Sequence, residues 1–212
     1  MTVPAVDAFA AALADREAGP HWLVYADGTR SRLPVGRWHG PAEPATTTVV
    51  GRCAGPTLDL GCGPGRFTLA LTRAGTTALG VDVCARAVAL TRARGAVAVR
   101  ADLFDPLPAE GRWAHVVLLD GNIGIGGDPV ALLRRCRALL HPAGSALVEL
   151  DPPGTGAWQG QAYVVSGRRR GPGFRWARLD TRAAYGVAEA AGCAVREVFR
   201  VGRRWFAELG RR

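Results

Sequence analysis

Three glycines at alternate positions follow an acidic residue in the first third of the chain. Asp59 precedes Gly61, Gly63 and Gly65, with leucines on both sides of the acid and an amphipathic run after the last glycine. Glycines let the backbone turn tightly and approach a ligand, and the start of a following helix offers free N–H groups. The segment therefore predicts a nucleotide-like ligand at the carboxyl end of a parallel strand.

The spacing of this loop separates it from two common phosphate-binding loops. A dinucleotide-binding loop has the pattern GxGxxG, whereas here Arg66 stands where its last glycine would fall. Pro64 also removes a backbone donor from the loop. A P-loop is excluded because it requires a lysine, and the chain has none.

Two further acids indicate where a nucleoside would lie. Asp82 follows Gly61 by 21 residues, and a carboxylate at this position suits the ribose hydroxyls of NAD and of S-adenosylmethionine alike. Asp102 can accept from the exocyclic amine of adenine, while Leu103 after it supplies an amide and a packing surface. Taken singly, each acid is also consistent with a helix cap or a strand-end turn.

Composition places the chain among globular proteins of one domain with at most a small addition. It has 212 residues, 48% hydrophobic and 21% charged. The net charge is +9, and all 27 basic residues are arginine. Residues 151–212 hold 12 arginines against five acids, so this third either attracts nucleic acid or an anionic substrate, or reflects arginine-rich codon usage.

Cysteine usage and hydropathy bear on location. The five cysteines form no CxxC pair, which favours reduced thiols over metal ligands or disulfides and predicts a cytoplasmic protein. No apolar run is long enough to span a membrane. The N-terminus lacks the basic start and continuous apolar stretch of a signal peptide.

Regular alternation of strands and helices begins near residue 57. The predicted strands are Thr57–Leu60, Ala78–Val83, Val97–Ala101, Ala114–Leu119 and Ala146–Leu150, and the predicted helices are Arg66–Ala74, Ala85–Arg94 and Pro129–Leu140. This alternation predicts a parallel sheet. Acids end four of the strands: Asp59, Asp82, Asp102 and Asp120. Because the carboxyl ends of parallel strands share one edge, these carboxylates are expected to line one rim.

The flanking segments are less regular. They predict a helix over Val6–Ala18, a hairpin over His21–Trp38, a helix over Thr46–Cys53, a loop over Asp151–Gln161, strands over Ala162–Ser166 and Phe174–Leu179, a helix over Thr181–Ala191, and a closing hairpin of Ala194–Val201 and Arg204–Leu209. An antiparallel hairpin at the edge of a parallel sheet is common in mixed sheets.

Taken together, these motifs resemble those of the class I S-adenosylmethionine-dependent methyltransferases of small-molecule type. The run from Asp59 to Gly65 is similar to the family's first motif, Gly80-Val81-Asp82 to its second, Ala101-Asp102 to its third, and Asp120–Pro129 with the following helix to its fourth. The helix ends in Pro142-Ala143-Gly144, where the family usually has Pro-Gly-Gly. The resemblance covers about residues 55–150. It implies an α/β fold: a Rossmann-like, doubly wound, mainly parallel seven-stranded sheet with a C-terminal antiparallel hairpin.

The resemblance also implies roles for individual residues. Asp59 and the amides of Gly61, Cys62, Gly63 and Gly65 would hold the methionine part of S-adenosylmethionine. Asp82, with Val83, would bind the ribose, and Asp102 with Leu103 the adenine. Asp120 or its peptide carbonyl, with Gly121, would face the amino group. The product would be S-adenosylhomocysteine, and no metal is expected because the sulfonium already makes the methyl group electrophilic.

The resemblance further implies transfer of a methyl group to an O, N or S atom of a small acceptor by in-line displacement. Residues 1–54 are predicted to cap the substrate site, and residues 55–212 to form the cofactor-binding domain with an insertion at 151–180, all in one structural unit. The acceptor pocket is expected among the aromatic residues of these segments: Tyr25, Trp38, His39, Trp158, Tyr163 and Trp176.

Two side chains are weak candidates for a part in catalysis. Asn122 is the only asparagine of the chain, in the loop that also holds its only two isoleucines, and is predicted to orient the acceptor or the cofactor. It is equally consistent with a turn residue. His39 is a candidate general base.

Other functions stay open at this stage. The basic C-terminal third is consistent with an RNA or protein methyltransferase. A non-catalytic S-adenosylmethionine-binding regulator would keep the rim acids and lack an acceptor pocket. An NAD-dependent dehydrogenase is disfavoured by Arg66, Pro64 and Asp102. The oligomeric state and the identity of the acceptor do not follow from the sequence.

Overall fold

The computed structural model describes residues 8–14 and 20–212. The strands are β1 His21–Tyr25, β2 Arg30–Arg32, β3 Thr57–Leu60, β4 Ala78–Asp82, β5 Ala98–Arg100, β6 Trp113–Leu118, β7 Leu140–Leu150, β8 Ala157–Ser166, β9 Arg169–Leu179, β10 Cys193–Val201 and β11 Arg204–Arg211. The helices are α1 Ala10–Ala14, α2 Val35–His39, α3 Pro44–Gly51, α4 Arg66–Arg73, α5 Ala85–Ala93, α6 Pro129–Leu139 and α7 Ala183–Ala190. A 3-10 turn covers Asn122–Gly127.

Seven strands form a central sheet in the order β10-β11-β7-β6-β3-β4-β5. The five strands from β3 to β7 pair in parallel. β11 pairs antiparallel with β7, and β10 pairs antiparallel with β11. The predicted fold class, a mainly parallel Rossmann-like sheet with a C-terminal antiparallel hairpin, is confirmed.

Helices cover both faces of this sheet, which explains why its strands are apolar on both sides. Along β6, Val116 and Leu118 pack into one buried cluster together with Leu132 of α6. The intervening Val117 packs into a second cluster together with Leu71 of α4. Side chains alternate across a strand, so one continuous apolar run fills two separate cores.

A second, four-stranded sheet has the order β2-β1-β8-β9 and is called the cap sheet below. β1 pairs antiparallel with β8, which brings Leu23 opposite Val164. The N-terminal hairpin and the 151–180 insertion, described separately in the sequence prediction, are therefore halves of one sheet. Phe174 and Trp176 of β9 lie in the buried cluster on the apolar face of the cap sheet.

Several predicted boundaries differ from the structure. The loop predicted over Asp151–Gln161 ends earlier, because Ala157 already pairs with Leu179 and pairing overrides the weak strand propensity of glycine and glutamine there. The predicted hairpin over His21–Trp38 ends at Arg32, and helix α2 follows Pro34. Of the predicted helix Val6–Ala18, Ala10–Ala14 is helical, and parts of the prediction lie outside the described residues.

No helix of the described residues combines the length and the apolar character needed to cross a membrane.

Candidate active site

One cavity of about 790 Å³ lies between the carboxyl ends of the central strands and the cap sheet. It lies where the strand order reverses, since the chain runs from β3 to β4 and β5 on one side and then to β6 on the other. This switch point is where open α/β sheets bind ligands. Cofactor-motif residues and cap-sheet residues therefore line the same space.

The glycine loop links β3 to α4 at the floor of the cavity. Gly61, Gly63 and Gly65 all have positive φ, at 72°, 53° and 80°, a region that favours glycine. A Cβ on Gly61 would lie 2.5 Å from Nδ2 of Asn122, and one on Gly65 would meet Thr91. A Cβ on Gly63 would meet nothing within 4 Å, so the backbone there faces open space that a ligand can fill.

Asp82 ends β4 beside this loop. Its Oδ2 accepts from the amide of Gly63 at 2.9 Å, and its Oδ1 from the amide of Cys84 at 2.8 Å. Each carboxylate oxygen has a second lone pair, so both remain able to accept from ligand hydroxyls. Burial raises the pKa of Asp82 although these amides act in the opposite direction.

Asp59 lies deeper, with 2% of its surface exposed. Its Oδ2 accepts from the hydroxyl of Thr68 at 2.6 Å. Burial raises the pKa of Asp59 to about 6, although the Thr68 hydrogen bond and the charge of Arg66 lower it. This carboxyl group borders the cavity and titrates closer to neutral pH than an ordinary aspartate.

The raised pKa predicts a pH-dependent stability. Because the ionised form is disfavoured in the folded state, the stabilising contribution is present below about pH 4 and is lost as pH rises through about 6. Asp59→Asn stays neutral, so its unfolding free energy relative to the wild type is expected to rise by about 3 kcal/mol between pH 4 and pH 7, measured by urea denaturation.

The matched control is Asp27→Asn in the exposed turn between β1 and β2. Hydrogen bonds from Thr29 lower the pKa of Asp27 below its usual 3.8, so it is ionised in both states over most of this range and its difference from the wild type is expected to stay nearly constant between pH 4 and pH 7. A difference for Asp59→Asn that stays constant over this pH range would contradict the prediction.

Asp102 and Leu103 line the cavity at the end of β5. Oδ1 of Asp102 accepts from the amide of Phe104 at 2.9 Å, which fixes the carboxylate within its own turn. The second oxygen stays available to a ligand. Val83, Cys62 and Gly121 also line the cavity, as do Asp59, Gly61, Gly63 and Asp82. Gly65 does not line it and instead caps α4.

Asp120 sits at the centre of an ion-pair cluster. Its oxygens lie 2.7 Å from Arg37, 2.8 Å from Arg66 and 3.1 Å from Arg204. Burial alone would raise the pKa of Asp120, but the three guanidinium groups outweigh it and lower the pKa. Because arginines occupy both oxygens, the geometry favours the peptide carbonyl of Asp120 as the group predicted to face the cofactor's amino group.

Two more carboxylates complete this cluster. Glu149 pairs with Arg204 at 2.6 Å, and its Oε2 also accepts from the amide of Asp120. Glu43 pairs with Arg204 as well. The cluster joins the start of α3, the ends of β6 and β7, and β11, together with Arg37 from α2. It therefore ties the segment between the cap sheet and α3 to the rim of the central sheet.

The Asn122 side chain is hydrogen-bonded to the backbone where β3 enters the glycine loop. Its Nδ2 donates to the carbonyls of Leu60 and Gly61, each at 2.9 Å. The turn that begins at Asn122 also packs against β9, where Gly124 lies against Trp176. The residue thus lies between the predicted cofactor site and the cap sheet.

We expect Asn122→Ala to weaken binding of S-adenosylhomocysteine by about tenfold, because two loop carbonyls lose their donor. Isothermal titration calorimetry measures this directly. Asn122→Asp keeps the shape without the donor and is expected to lose as much affinity. Wild-type affinity and wild-type turnover in Asn122→Ala would together contradict a role in orienting either the cofactor or the acceptor.

The predicted acceptor-pocket residues divide into two groups. Tyr25, Trp38 and Trp176 line the cavity. Trp158 does not line it and packs against Tyr25 instead, with ring centroids 4.9 Å apart. Tyr163 instead lies under the guanidinium of Arg170 near the hairpin tip.

His39 does not line the main cavity. It is buried in α2 and lines a smaller depression that also includes Pro41, while its carbonyl accepts from Arg94 at 2.7 Å. Trp38 precedes it and takes the cavity side of this short helix, so the next residue is turned about 100° away. The geometry gives no support to His39 as a general base.

Sequence reasoning did not single out Arg37 or the pair Asp151–Arg178 as site residues. Arg178 Nε lies 2.8 Å from Oδ2 of Asp151, and both residues border the cavity. Nothing local marks them, since Arg178 is one of many arginines in this part of the chain. Only the pairing of β9 in the cap sheet brings Arg178 to the site.

Within residues 8–14 and 20–212, no three His, Cys, Asp or Glu side chains lie together in a way that could hold a metal ion.

Comparison with known proteins identifies the central part of the chain. Residues 57–144 match the family model described as a methyltransferase domain. No curated protein matches the chain in sequence.

Solved structures share the fold. A S-adenosylmethionine-dependent methyltransferase from Bacteroides fragilis, solved with S-adenosylhomocysteine, has a TM-score of 0.78 at 22% identity, over 99% of this chain and 97% of its own. The sugar N-methyltransferase of a Streptoalloteichus species has a TM-score of 0.63 at 18% identity, over 84% and 91%. The 1,6-didemethyltoxoflavin N1-methyltransferase of Burkholderia thailandensis has a TM-score of 0.59 at 17% identity, over 80% and 77%. The domain match over residues 57–144 and the shared fold both agree with the resemblance to class I S-adenosylmethionine-dependent methyltransferases.

Proposed function

We propose that this protein is an S-adenosylmethionine-dependent methyltransferase that transfers the methyl group to an O, N or S atom of a small-molecule acceptor. One observation carries the proposal: a single cavity joins the glycine loop and the rim acids to an aromatic compartment under the cap sheet. A donor and an acceptor bound in one cavity can be aligned for in-line displacement.

The cofactor residues fit S-adenosylmethionine. The open side of Gly63 admits close backbone approach, and Asp82 keeps lone pairs for ribose hydroxyls beyond those that Gly63 and Cys84 use. Asp102 keeps one oxygen for the adenine amine. When bound, the sulfonium supplies the electrophilic methyl group. The loop, Asp82 and Asp102 would fix its position.

The acceptor compartment is apolar. Leu23, Phe174 and Trp176 form its cap-sheet wall, and Trp38 borders it from α2. Such walls exclude water and stabilise an apolar or aromatic body of limited size. Burial raises the pKa of Tyr25, so its phenol stays protonated and donates rather than accepting a proton.

The structural neighbours are consistent with a small acceptor, since they include enzymes named for a sugar and for a toxoflavin precursor. Methylation of RNA or protein is less well supported: the exposed arginines at 168–170 lie at the tip of the β8–β9 hairpin, and none lines the cavity. We also propose a cytoplasmic location, because all five cysteines are buried and unpaired.

The test is methyl transfer from S-adenosylmethionine to pools of phenols, aromatic amines, thiols and amino sugars, with S-adenosylhomocysteine quantified by mass spectrometry. Trp176→Ala is expected to raise the acceptor KM at least tenfold while S-adenosylhomocysteine still binds. Trp22→Ala is the matched control, because Trp22 lies on the opposite face of the cap sheet and does not line the cavity. Tight cofactor binding with no turnover of any acceptor would support the non-catalytic regulator instead.

A further inference from the structure

A charged side chain lies beside the aromatic residues of the cap sheet. Alternate residues of a strand share a face, so Arg178 follows Phe174 and Trp176 on the cavity face of β9. Its guanidinium carbon is 5.3 Å from the ring centroid of Tyr25 on β1. The aromatic compartment therefore has one polar corner.

The guanidinium of Arg178 is held at one edge only. Nε donates to Oδ2 of Asp151 at 2.8 Å, and Asp151 is fixed in turn by its amide, which donates to the carbonyl of Leu179 at 2.9 Å. Neither Nη atom of Arg178 has a hydrogen-bond partner among residues 8–14 and 20–212, and the side chain is 32% exposed. Two donors thus remain, oriented by an ion pair and an aromatic ring.

We propose that Arg178 binds the carboxylate of an aromatic acceptor. The two Nη donors form a fork that matches the two oxygens of a carboxylate, and the ring of such an acceptor would pack against Trp176 and Phe174. This inference rests on the proposed function, because it assigns the compartment under the cap sheet to the methyl acceptor.

The charge around the opening favours an anion over an amine. Arg32 and Arg175 also border the cavity, but the pairing of Arg32 with Trp22 and the alternation along β9 place both side chains on the other face of the cap sheet. Asp151, the acid nearest to Arg178, is already paired with it, and Glu149 is paired with Arg204. Both of these acids are therefore already paired with arginines, whereas the Nη donors of Arg178 stay available to an anionic ligand.

Three probes with one ring and different charges test this inference without turnover: 2-naphthoate, 2-naphthamide and 2-naphthylmethylamine. Each is titrated by calorimetry into the protein saturated with S-adenosylhomocysteine. We expect 2-naphthoate to bind roughly tenfold to a hundredfold more tightly than 2-naphthamide. Arg178→Gln is expected to remove this advantage and leave the affinity for 2-naphthamide unchanged.

Arg170→Gln is the matched control, because it removes the same charge from the same strand at a residue that does not line the cavity. It should keep the preference for 2-naphthoate. The inference is overturned if the naphthoate and the amide bind equally to the wild type, if the amine binds best, or if Arg178→Gln keeps the preference. Binding of S-adenosylhomocysteine with no binding of any probe would also overturn it while leaving methyl transfer to another class of acceptor intact.

Discussion

Replacing Asp82 by alanine is expected to weaken binding of S-adenosylmethionine and S-adenosylhomocysteine by roughly 100-fold or more. The carboxylate would lose its bonds to the ribose hydroxyls. The amides of Gly63 and Cys84, which it now accepts from at 2.9 and 2.8 Å, would lose their partner as well. The substitution therefore acts both on the ligand contact and on the shape of the loop. Calorimetry with both sulfur nucleotides and with NAD measures the effect.

Asp27→Ala is the control for this experiment. Asp27 also accepts from a backbone amide, that of Thr29 at 2.8 Å, but in a turn away from the cavity. Its loss should leave nucleotide affinity unchanged. Binding of NAD alone by the wild type would overturn the cofactor assignment. If the wild type binds none of the three ligands, the rim acids and the glycine loop do not form a working nucleotide site.

The part of the site that could be predicted lies in local sequence. Asp59 and Asp82 lie in the last two residues of their strands and Asp102 lies just after its strand, and parallel pairing brings these strand ends to one edge. The glycine loop could also be predicted from local sequence, because the positive φ at Gly61, Gly63 and Gly65 is a requirement of the loop's own backbone. These features needed no knowledge of distant contacts.

The cap sheet depends on contacts that local sequence does not encode. His21 pairs with Ser166, 145 residues further along the chain, and the pairing partner of a short edge hairpin leaves no pattern in its own residues. Asn122 shows the intermediate case: its rarity in the composition singled it out, but its partners, the carbonyls of Leu60 and Gly61, became evident only in the fold.

The positions of the rim arginines could be predicted even less well from local sequence. In the sequence, Arg66 was notable only because it stands where a dinucleotide-binding loop has its last glycine. In the structure it is 5% exposed and pairs with Asp120 at 2.8 Å. Arg37 reaches the same carboxylate from α2, 83 residues away. In a chain with 27 arginines, residue type alone does not show which of them are buried in pairs.

Asp120→Asn is expected to lower the unfolding free energy by about 3–5 kcal/mol, or the melting temperature by about 10 °C. Asn tolerates the positive φ of 55° at this position, so the backbone should be retained. The loss comes from charge: within the part of the chain that the structure describes, Arg37, Arg66 and Arg204 would keep Glu43 and Glu149 as their remaining ion-pair partners. Glu189→Gln, in the exposed pair with Arg212, is the control, with an expected change under about 0.5 kcal/mol.

The pH dependence separates this charge effect from a packing defect. The arginines lower the pKa of Asp120 below its usual value near 3.8, so its contribution is fully present above that pH and is lost as pH falls toward the lowered pKa. The stability difference between wild type and Asp120→Asn should be constant from pH 5 to 8 and shrink below pH 4. A difference that persists unchanged in acid would place the cost in packing. The cluster would then serve as a scaffold for the strand ends, with no electrostatic link between α2 and the rim.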